Sequence, residues 1–186
     1  MTITVPSHLP YPLWNTEESC DSELRSNHGA ALALLGYTLF CEKCPSEAVE
    51  NFSQALTLMP ESRSVREWRS MCYLEMGDYA KALADLDDVV RLFPQYSMAY
   101  NNRGVLYFFM DRLDEALADL NTAIALNPEH GRAYTNRAQV YCSLGQYAQA
   151  QQNCNMGRLL DGDSDEVTAA QARIFENSLK VDTTEE

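Results

Sequence analysis

Apolar and small residues recur along the middle of this chain with the spacing of one face of an α-helix. Between residues 97 and 128, one such stretch is followed by a turn at Asp111 and then by a second stretch. Because proline disfavours helix in the residue before it, Pro128 ends the second stretch. The pattern predicts two packed helices, whose facing residues are Tyr100, Arg103, Gly104 and Tyr107 in the first and Ala116, Leu120 and Ala123 in the second.

The same arrangement returns every 34 residues. Three sets of positions keep this step: the alanines Ala48, Ala82, Ala116 and Ala150, the large apolar residues Phe52, Leu86 and Leu120, and the prolines Pro60, Pro94 and Pro128. A small residue, a large apolar residue four later and a proline eight later, repeated at this period, mark a helix-turn-helix solenoid. The sequence resembles the tetratricopeptide repeat family, with repeats at about 29–62, 63–96, 97–130 and 131–162.

This resemblance implies an all-α fold, a right-handed helical-hairpin solenoid of about four repeats with a C-terminal capping helix. The repeat domain is predicted at 16–162, with a helix that starts at Thr16 and runs without a break into the first repeat. The capping helix is predicted at 163–180 because Asp163 or Ser164 can begin a helix and apolar residues behind them share one face. Residues 1–15, which are rich in proline, are predicted to be irregular, and the acidic tail 181–186 to be disordered.

The charge of the chain limits its partners. A formal net charge of −13 argues against nucleic acid, since phosphate contacts require clustered lysine and arginine. No apolar run approaches the roughly 18 residues of a membrane span, and the first residues lack the basic and apolar regions of a secretory signal. The sequence therefore predicts a cytoplasmic protein without a membrane or nucleic-acid partner.

The residues that commonly carry chemistry are scattered. Cys41 and Cys44 form a CxxC at the predicted turn of the first repeat, but no second pair completes a zinc site. Cys72 and Cys154 fall at core positions, and His130 is expected to face water in a turn. No nucleophile motif or phosphate-binding glycine loop is present. We therefore expect no enzyme, no catalytic residue, no metal and no cofactor.

Arginines occupy the seventh position of the last three repeats, where the family usually has an apolar residue. Sixteen residues later each repeat offers an oxygen-bearing side chain, which gives the predicted pairs Arg69–Asp85, Arg103–Asp119 and Arg137–Asn153. A half-buried guanidinium without a partner is costly. We therefore interpret these residues as hydrogen-bonded structural pairs; a basic stripe that binds a ligand is the alternative.

In tetratricopeptide repeat proteins the first helix of each repeat lines a concave surface that binds partners. The resemblance places one set of candidate binding residues on that surface: Tyr37, Trp68, Met71, Asn101, Asn102, Val105, Phe109, Arg132, Thr135, Asn136 and Gln139. An apolar and aromatic half thus faces a polar half. Paired asparagines suit the backbone of a bound peptide, and the aromatic end suits one or two of its side chains.

One subclass of the family holds the C-terminal carboxylate of heat-shock proteins with a Lys-Asn-Asn-Lys-Arg clamp. At the matching positions of this chain, Asn102 and Arg132 agree with the clamp, whereas Glu67, Met71 and Asn136 do not. A carboxylate at Glu67 would repel the group that the clamp binds. The sequence therefore argues against heat-shock co-chaperone activity.

The predicted function is a non-enzymatic interaction module or adaptor that holds a protein segment or an extended peptide in the concave groove. Three alternatives stay open: a bacterial secretion-type chaperone, a neutraliser of a basic protein, and a self-occluded monomer or swapped homodimer. In the last of these, the N-terminal segment occupies its own groove or that of a second copy.

Overall fold

The computed structural model describes residues 20–162 and 165–182. Four of the predicted features lie outside these residues: the irregular segment 1–15, the helix start at Thr16, the capping residues Asp163 and Ser164, and the tail from 183 on. All regular secondary structure in the described residues is helical, in nine helices: α1 (Cys20–Cys41), α2 (Pro45–Leu58), α3 (Arg63–Glu75), α4 (Tyr79–Leu92), α5 (Ser97–Phe109), α6 (Leu113–Leu126), α7 (Gly131–Ser143), α8 (Tyr147–Asp161) and α9 (Asp165–Asp182).

The chain divides into two compact units, an N-terminal unit that ends at Trp68 and a C-terminal unit that begins at Arg69. In the N-terminal unit, α1 continues through Gly29 into the first repeat without a break. It packs closely on α2 because Gly36 leaves room for the fully buried ring of Phe52. A Cβ atom at residue 36 would come within 2.8 Å of Phe52 Cε1, so the glycine permits the contact.

In the C-terminal unit the apolar core is shared between consecutive repeats. Leu106 of α5 packs with Ala82 and Leu86 of α4, and each of the three is at most 3% exposed. In the same way, Val140 of α7 packs with the fully buried residues of α6, Ala116 and Leu120. Each second helix is therefore covered by the first helix of the next repeat.

Helix α9 covers the last hairpin. Its buried residues Val167, Ala170 and Ile174 lie on one face. Two of them, Ala170 and Ile174, pack in a cluster with apolar residues of α7 and α8: Ala138, Cys142, Ala150 and Cys154. The helix continues two residues beyond the predicted end at 180.

The predicted arginine pairs are present. Arg69 donates to both carboxylate oxygens of Asp85 at 2.8 and 2.6 Å, and Arg103 donates to both of Asp119 at 2.7 and 2.9 Å. Arg137 Nε donates to Asn153 Oδ1 at 2.8 Å. These bidentate, charge-assisted contacts are strong hydrogen bonds, and each joins the two helices of one repeat.

The structure adds a second set of arginine contacts that the sequence analysis missed. Arg103 Nη1 also donates to Asp87 Oδ1, and Arg137 Nη1 donates to Asn121 Oδ1, both at 2.7 Å. Asp87 and Asn121 each lie sixteen residues before their arginine, on the second helix of the preceding repeat. Arg103 and Arg137 therefore each join three helices, and we call this series of contacts the arginine ladder.

His130 is buried, and the prediction that it faces water is wrong. Ser97 Oγ donates to the Ala123 carbonyl at 2.9 Å and lies 2.7 Å from His130 Nδ1, so Nδ1 must carry the hydrogen. Nε2 is buried and has no hydrogen-bond partner within the described residues. Burial lowers the pKa of His130 below its usual 6.5, opposed by Asp161 and assisted by Arg132. The turn is polar, but its last side chain fills the space between α5 and α6.

Removing a carboxylate from the arginine ladder should destabilise the fold. We expect Asp119→Ala to lower the free energy of unfolding by about 2–4 kcal/mol, because it leaves a half-buried guanidinium without its main partner. Conversely, Asn153→Asp should raise it by up to about 1 kcal/mol by giving Arg137 a carboxylate. Urea unfolding followed by circular dichroism measures both. Glu115→Gln, which breaks the exposed Arg112–Glu115 pair, is the control and should barely move the midpoint. A similar small effect for Asp119→Ala would contradict the structural role of the ladder.

His130 should make stability depend on pH. Its folded-state pKa lies below 6.5, so the unfolded chain binds the proton more tightly, and stability falls as pH drops below about 6.5. We expect the unmodified protein to lose more stability between about pH 7.5 and 5.5 than His130→Asn does, in urea titrations at each pH. Exposed His28 supplies the control variant, His28→Asn. A pH-independent difference between the protein and His130→Asn would refute this assignment.

Candidate functional site

The predicted binding residues all lie on the first helix of a repeat. Their helices are α1 for Tyr37, α3 for Trp68 and Met71, α5 for Asn101, Asn102, Val105 and Phe109, and α7 for Arg132, Thr135, Asn136 and Gln139. Tyr37 and Trp68 belong to the N-terminal unit and the others to the C-terminal unit.

In the N-terminal unit, Trp68 is the centre of an aromatic cluster with Tyr37 and Phe40 of α1. Its ring centroid lies 4.7 Å from that of Tyr37 and 5.6 Å from that of Phe40, with interplanar angles of 68° and 55°. Aromatic pairs prefer such edge-to-face arrangements. Trp68 is half-buried and contributes to packing, so its truncation would lower stability as well as change the surface.

An acidic side chain precedes this tryptophan on α3. The Glu67 side chain is 13% exposed and lies 3.6 Å from Arg63 Nε. Burial raises the pKa of Glu67 to about 7, although Arg63 opposes the shift. The ionised carboxylate therefore carries a desolvation cost that Arg63 offsets only in part.

In the C-terminal unit, three predicted residues meet at one cleft between α3, α4 and α5. Met71, Asn102 and Val105 line it together with residues that the sequence analysis did not select: Ser70, Leu74, Ala82, Leu86 and Leu106. The cleft encloses about 140 Å³. Sites for small molecules and cofactors measure roughly 300–1,000 Å³. The cleft is therefore too small for a cofactor and fits one apolar side chain of moderate size.

The floor and the rim of the cleft differ. Leu86 and Leu106 are 3% and 1% exposed and form an apolar floor, whereas Met71 is 43% exposed at the rim. Asn102 brings an amide to the same cleft. A bound peptide could bury a side chain against the leucines and bond its backbone to this amide.

Asn101 holds helices together. It is only 4% exposed, its Oδ1 accepts a 2.9 Å hydrogen bond from Asn136 Nδ2, and its Nδ2 donates to Asn102 Oδ1 at 3.2 Å. These bonds tie α5 to α7 and orient the amide at the cleft. The assignment of Asn101 as a direct partner contact is corrected to one of positioning Asn102.

Thr135 is also a structural residue. It is 2% exposed, its hydroxyl donates to the Gly131 carbonyl at 3.4 Å, and it packs where Gly157 of α8 leaves room. A partner on the surface cannot reach it, so its predicted binding role is wrong. Gly157 was the available signal, because a glycine within a helix often marks close packing.

The remaining candidates are accessible to different degrees. Phe109 is 54% exposed and lies edge-on to Phe108, with 6.1 Å between centroids. Arg132 is exposed, and Asn136 and Gln139 are half-buried. Phe109 and Arg132 therefore present an aromatic ring and a cation that a partner can contact.

The cysteines show no metal centre. Cys41 is exposed and Cys44 half-buried, at the turn between α1 and α2, and Cys72 and Cys154 are buried as predicted. Across residues 20–162 and 165–182, no three His, Cys, Asp or Glu side chains are grouped to hold a metal ion. Over the same ranges, no helix has the length and apolar character needed to cross a membrane.

Comparison with known proteins agrees with this architecture of paired helices, which is that of a repeat scaffold. Two sequence profiles described as tetratricopeptide repeat match the chain, one over residues 45–97 and 72–109 and the other over 110–174. The chain belongs to the tetratricopeptide repeat family. Proteins of this family are generally non-enzymatic scaffolds with protein or peptide partners. No curated protein matches it.

Solved structures share the fold at low sequence identity. A thermophilic tetratricopeptide repeat protein from Thermus thermophilus is 23% identical, with coverage of 83% of this chain and 84% of that one and a TM-score of 0.75. PilF from Pseudomonas aeruginosa is 19% identical, covering 84% and 71%, with a TM-score of 0.73. The first repeat domain of Spaghetti (RPAP3), bound to an HSP90 peptide, is 23% identical, covering 64% and 94%, with a TM-score of 0.60. These likenesses establish the fold alone.

The two neighbouring asparagines should respond differently to truncation. We expect Asn101→Ala to lower the free energy of unfolding by about 1–3 kcal/mol, because a buried donor of Asn136 loses its acceptor. Asn102→Ala should have a clearly smaller effect, since its position borders the open cleft. Chemical denaturation of both variants, with circular dichroism as the signal, makes the comparison. Equal losses would mean that Asn102 is as structural as its neighbour.

Proposed function

We propose that this protein is an adaptor that binds a protein partner at the C-terminal unit. An apolar side chain of the partner enters the cleft of α3, α4 and α5, and the Asn102 amide bonds the partner's backbone. The observation that carries the proposal is the convergence of Met71, Asn102 and Val105 on one apolar cleft of about 140 Å³. Family membership supports it, because the fold serves protein interaction in general.

The neighbouring residues fit this mode of binding. Phe109, on the same helix as Asn102 and Val105, adds an exposed aromatic ring, and large exposed aromatic residues are frequent binding hot spots. Arg132, Asn136 and Gln139 on α7 supply further polar groups for a peptide backbone or side chains. The size of the cleft favours an extended segment with one anchoring residue over a small-molecule ligand.

The test is a co-purification from the native host with a matched pair of double variants. Met71→Ala/Asn102→Ala removes the rim of the cleft. Asn155→Ala/Met156→Ala removes the same residue types from α8, where Met156 is 37% exposed against 43% for Met71. We expect a stoichiometric partner to be retained by the second double variant and lost by the first, with each cleft substitution costing about 1–3 kcal/mol of binding free energy.

Two measurements complete this test. Calorimetry with the identified partner gives the change in Kd, and urea unfolding confirms that both double variants are folded. A partner retained equally by both variants would overturn the proposal and place its binding surface elsewhere.

A further inference from the structure

The aromatic cluster of the N-terminal unit has the geometry of a site for a positive charge. Tyr37 and Phe40 are steeply inclined to Trp68, at 68° and 55°, so the three rings form inclined walls instead of a parallel stack. All three are half-buried and so keep part of their surface open to solvent. The faces of aromatic rings carry negative potential and attract ammonium and guanidinium groups, tryptophan most strongly.

A cation already lies beside one ring of this cluster. Lys43 Nζ is 5.9 Å from the centroid of Phe40, within the range of a cation–π contact. Lys43 stands in the turn between α1 and α2 with φ of 63°, a left-handed conformation that directs its side chain back along the hairpin. The cluster therefore accepts an ammonium group in its surroundings.

Glu67 adds a carboxylate next to Trp68 on α3. Its contact with Arg63 Nε is 3.6 Å long, against 2.6–2.9 Å for the bonds from Arg69 and Arg103 to Asp85 and Asp119. Burial raises the pKa of this carboxyl to about 7 in spite of Arg63. A second cation near Glu67 would offset more of the desolvation cost of the ionised form.

We propose that Tyr37, Phe40, Trp68 and Glu67 form a binding site for a cationic side chain, a lysine or arginine of a protein partner. The rings contact the charged head through their faces, and the carboxylate pairs with it. Charge complementarity supports this occupant, since a net charge of −13 favours the approach of basic segments. The inference rests on the proposed function only in that the cation is carried by a protein, and a small probe tests it without the partner.

The experiment uses the fluorescence of Trp68. The chain has two tryptophans, so Trp14→Phe leaves Trp68 as the sole fluorophore. This variant is titrated with acetylated tetralysine amide and, separately, with acetylated tetraglutamine amide at constant ionic strength. We expect a saturable change of Trp68 emission with tetralysine and none with tetraglutamine. Absence of a saturable response to tetralysine up to about 10 mM, which is weaker than a specific contact of this kind, would overturn the proposal.

Charge variants separate this site from general attraction between an acidic protein and a basic peptide. In the same background, Glu67→Gln should weaken tetralysine binding by about tenfold, whereas Glu50→Gln, at an exposed position of α2, should change it less than twofold. Equal losses would show that tetralysine is attracted by net charge alone and would refute the site.

A measurement on the unmodified chain guards against misfolded variants. Tetralysine should shift the indole Nε1–H resonance of Trp68 in ¹⁵N–¹H spectra more than that of Trp14. Larger shifts at Trp14, or none at either indole, would contradict the assignment. Neither readout involves Met71 or Asn102, so failure here and failure of the proposed function remain distinguishable.

Discussion

The requirement that a half-buried guanidinium be fully hydrogen-bonded organises the C-terminal unit of this protein. Arg103 meets it with Asp119 of its own repeat and Asp87 of the preceding one, and Arg137 does so with Asn153 and Asn121. Because each contact has directional geometry, the ladder fixes how one hairpin is placed on the next. The cleft between α3, α4 and α5 exists only with that placement, since its walls come from two repeats. A charge network in the interior thus sets the shape of an apolar surface site.

Much of this architecture could be predicted from the sequence, because a period of 34 residues constrains the packing of every repeat in the same way. The alanine and leucine series identified the core, and the step of sixteen residues identified Asp85, Asp119 and Asn153 as arginine partners. Contacts between repeats could not be found by inspecting one repeat at a time, which is why Asp87 and Asn121 were missed. Residues with a polar type but a buried role, His130 and Thr135, were misjudged for a related reason: their environment comes from helices distant in sequence.

The candidate site shows the same division. The family pattern selected Met71, Asn102 and Val105, which meet at the cleft, but it also selected Asn101, whose amide is used up in joining α5 to α7. A helix position tells which way a side chain points and cannot tell whether a neighbour has already engaged it. The two proposed contacts also differ in kind, since the cleft accepts an apolar group and the aromatic cluster with Glu67 suits a cation. A partner segment that carries both groups would be recognised by composition as well as by shape.

The reach of the ladder has a consequence for how such a chain could evolve. Arg103 is bonded to residues sixteen positions on either side, so the smallest set of mutually satisfied groups spans 87–119 and straddles the boundary between two repeats. The inherited period and the bonded group are therefore out of phase. A duplication of any 34 consecutive codons, wherever its breakpoints fall, would reproduce both partners of the copied arginine. Length variation by whole periods is thereby tolerated without a privileged junction, whereas insertion of a single residue within that span would separate the arginine from one of its partners.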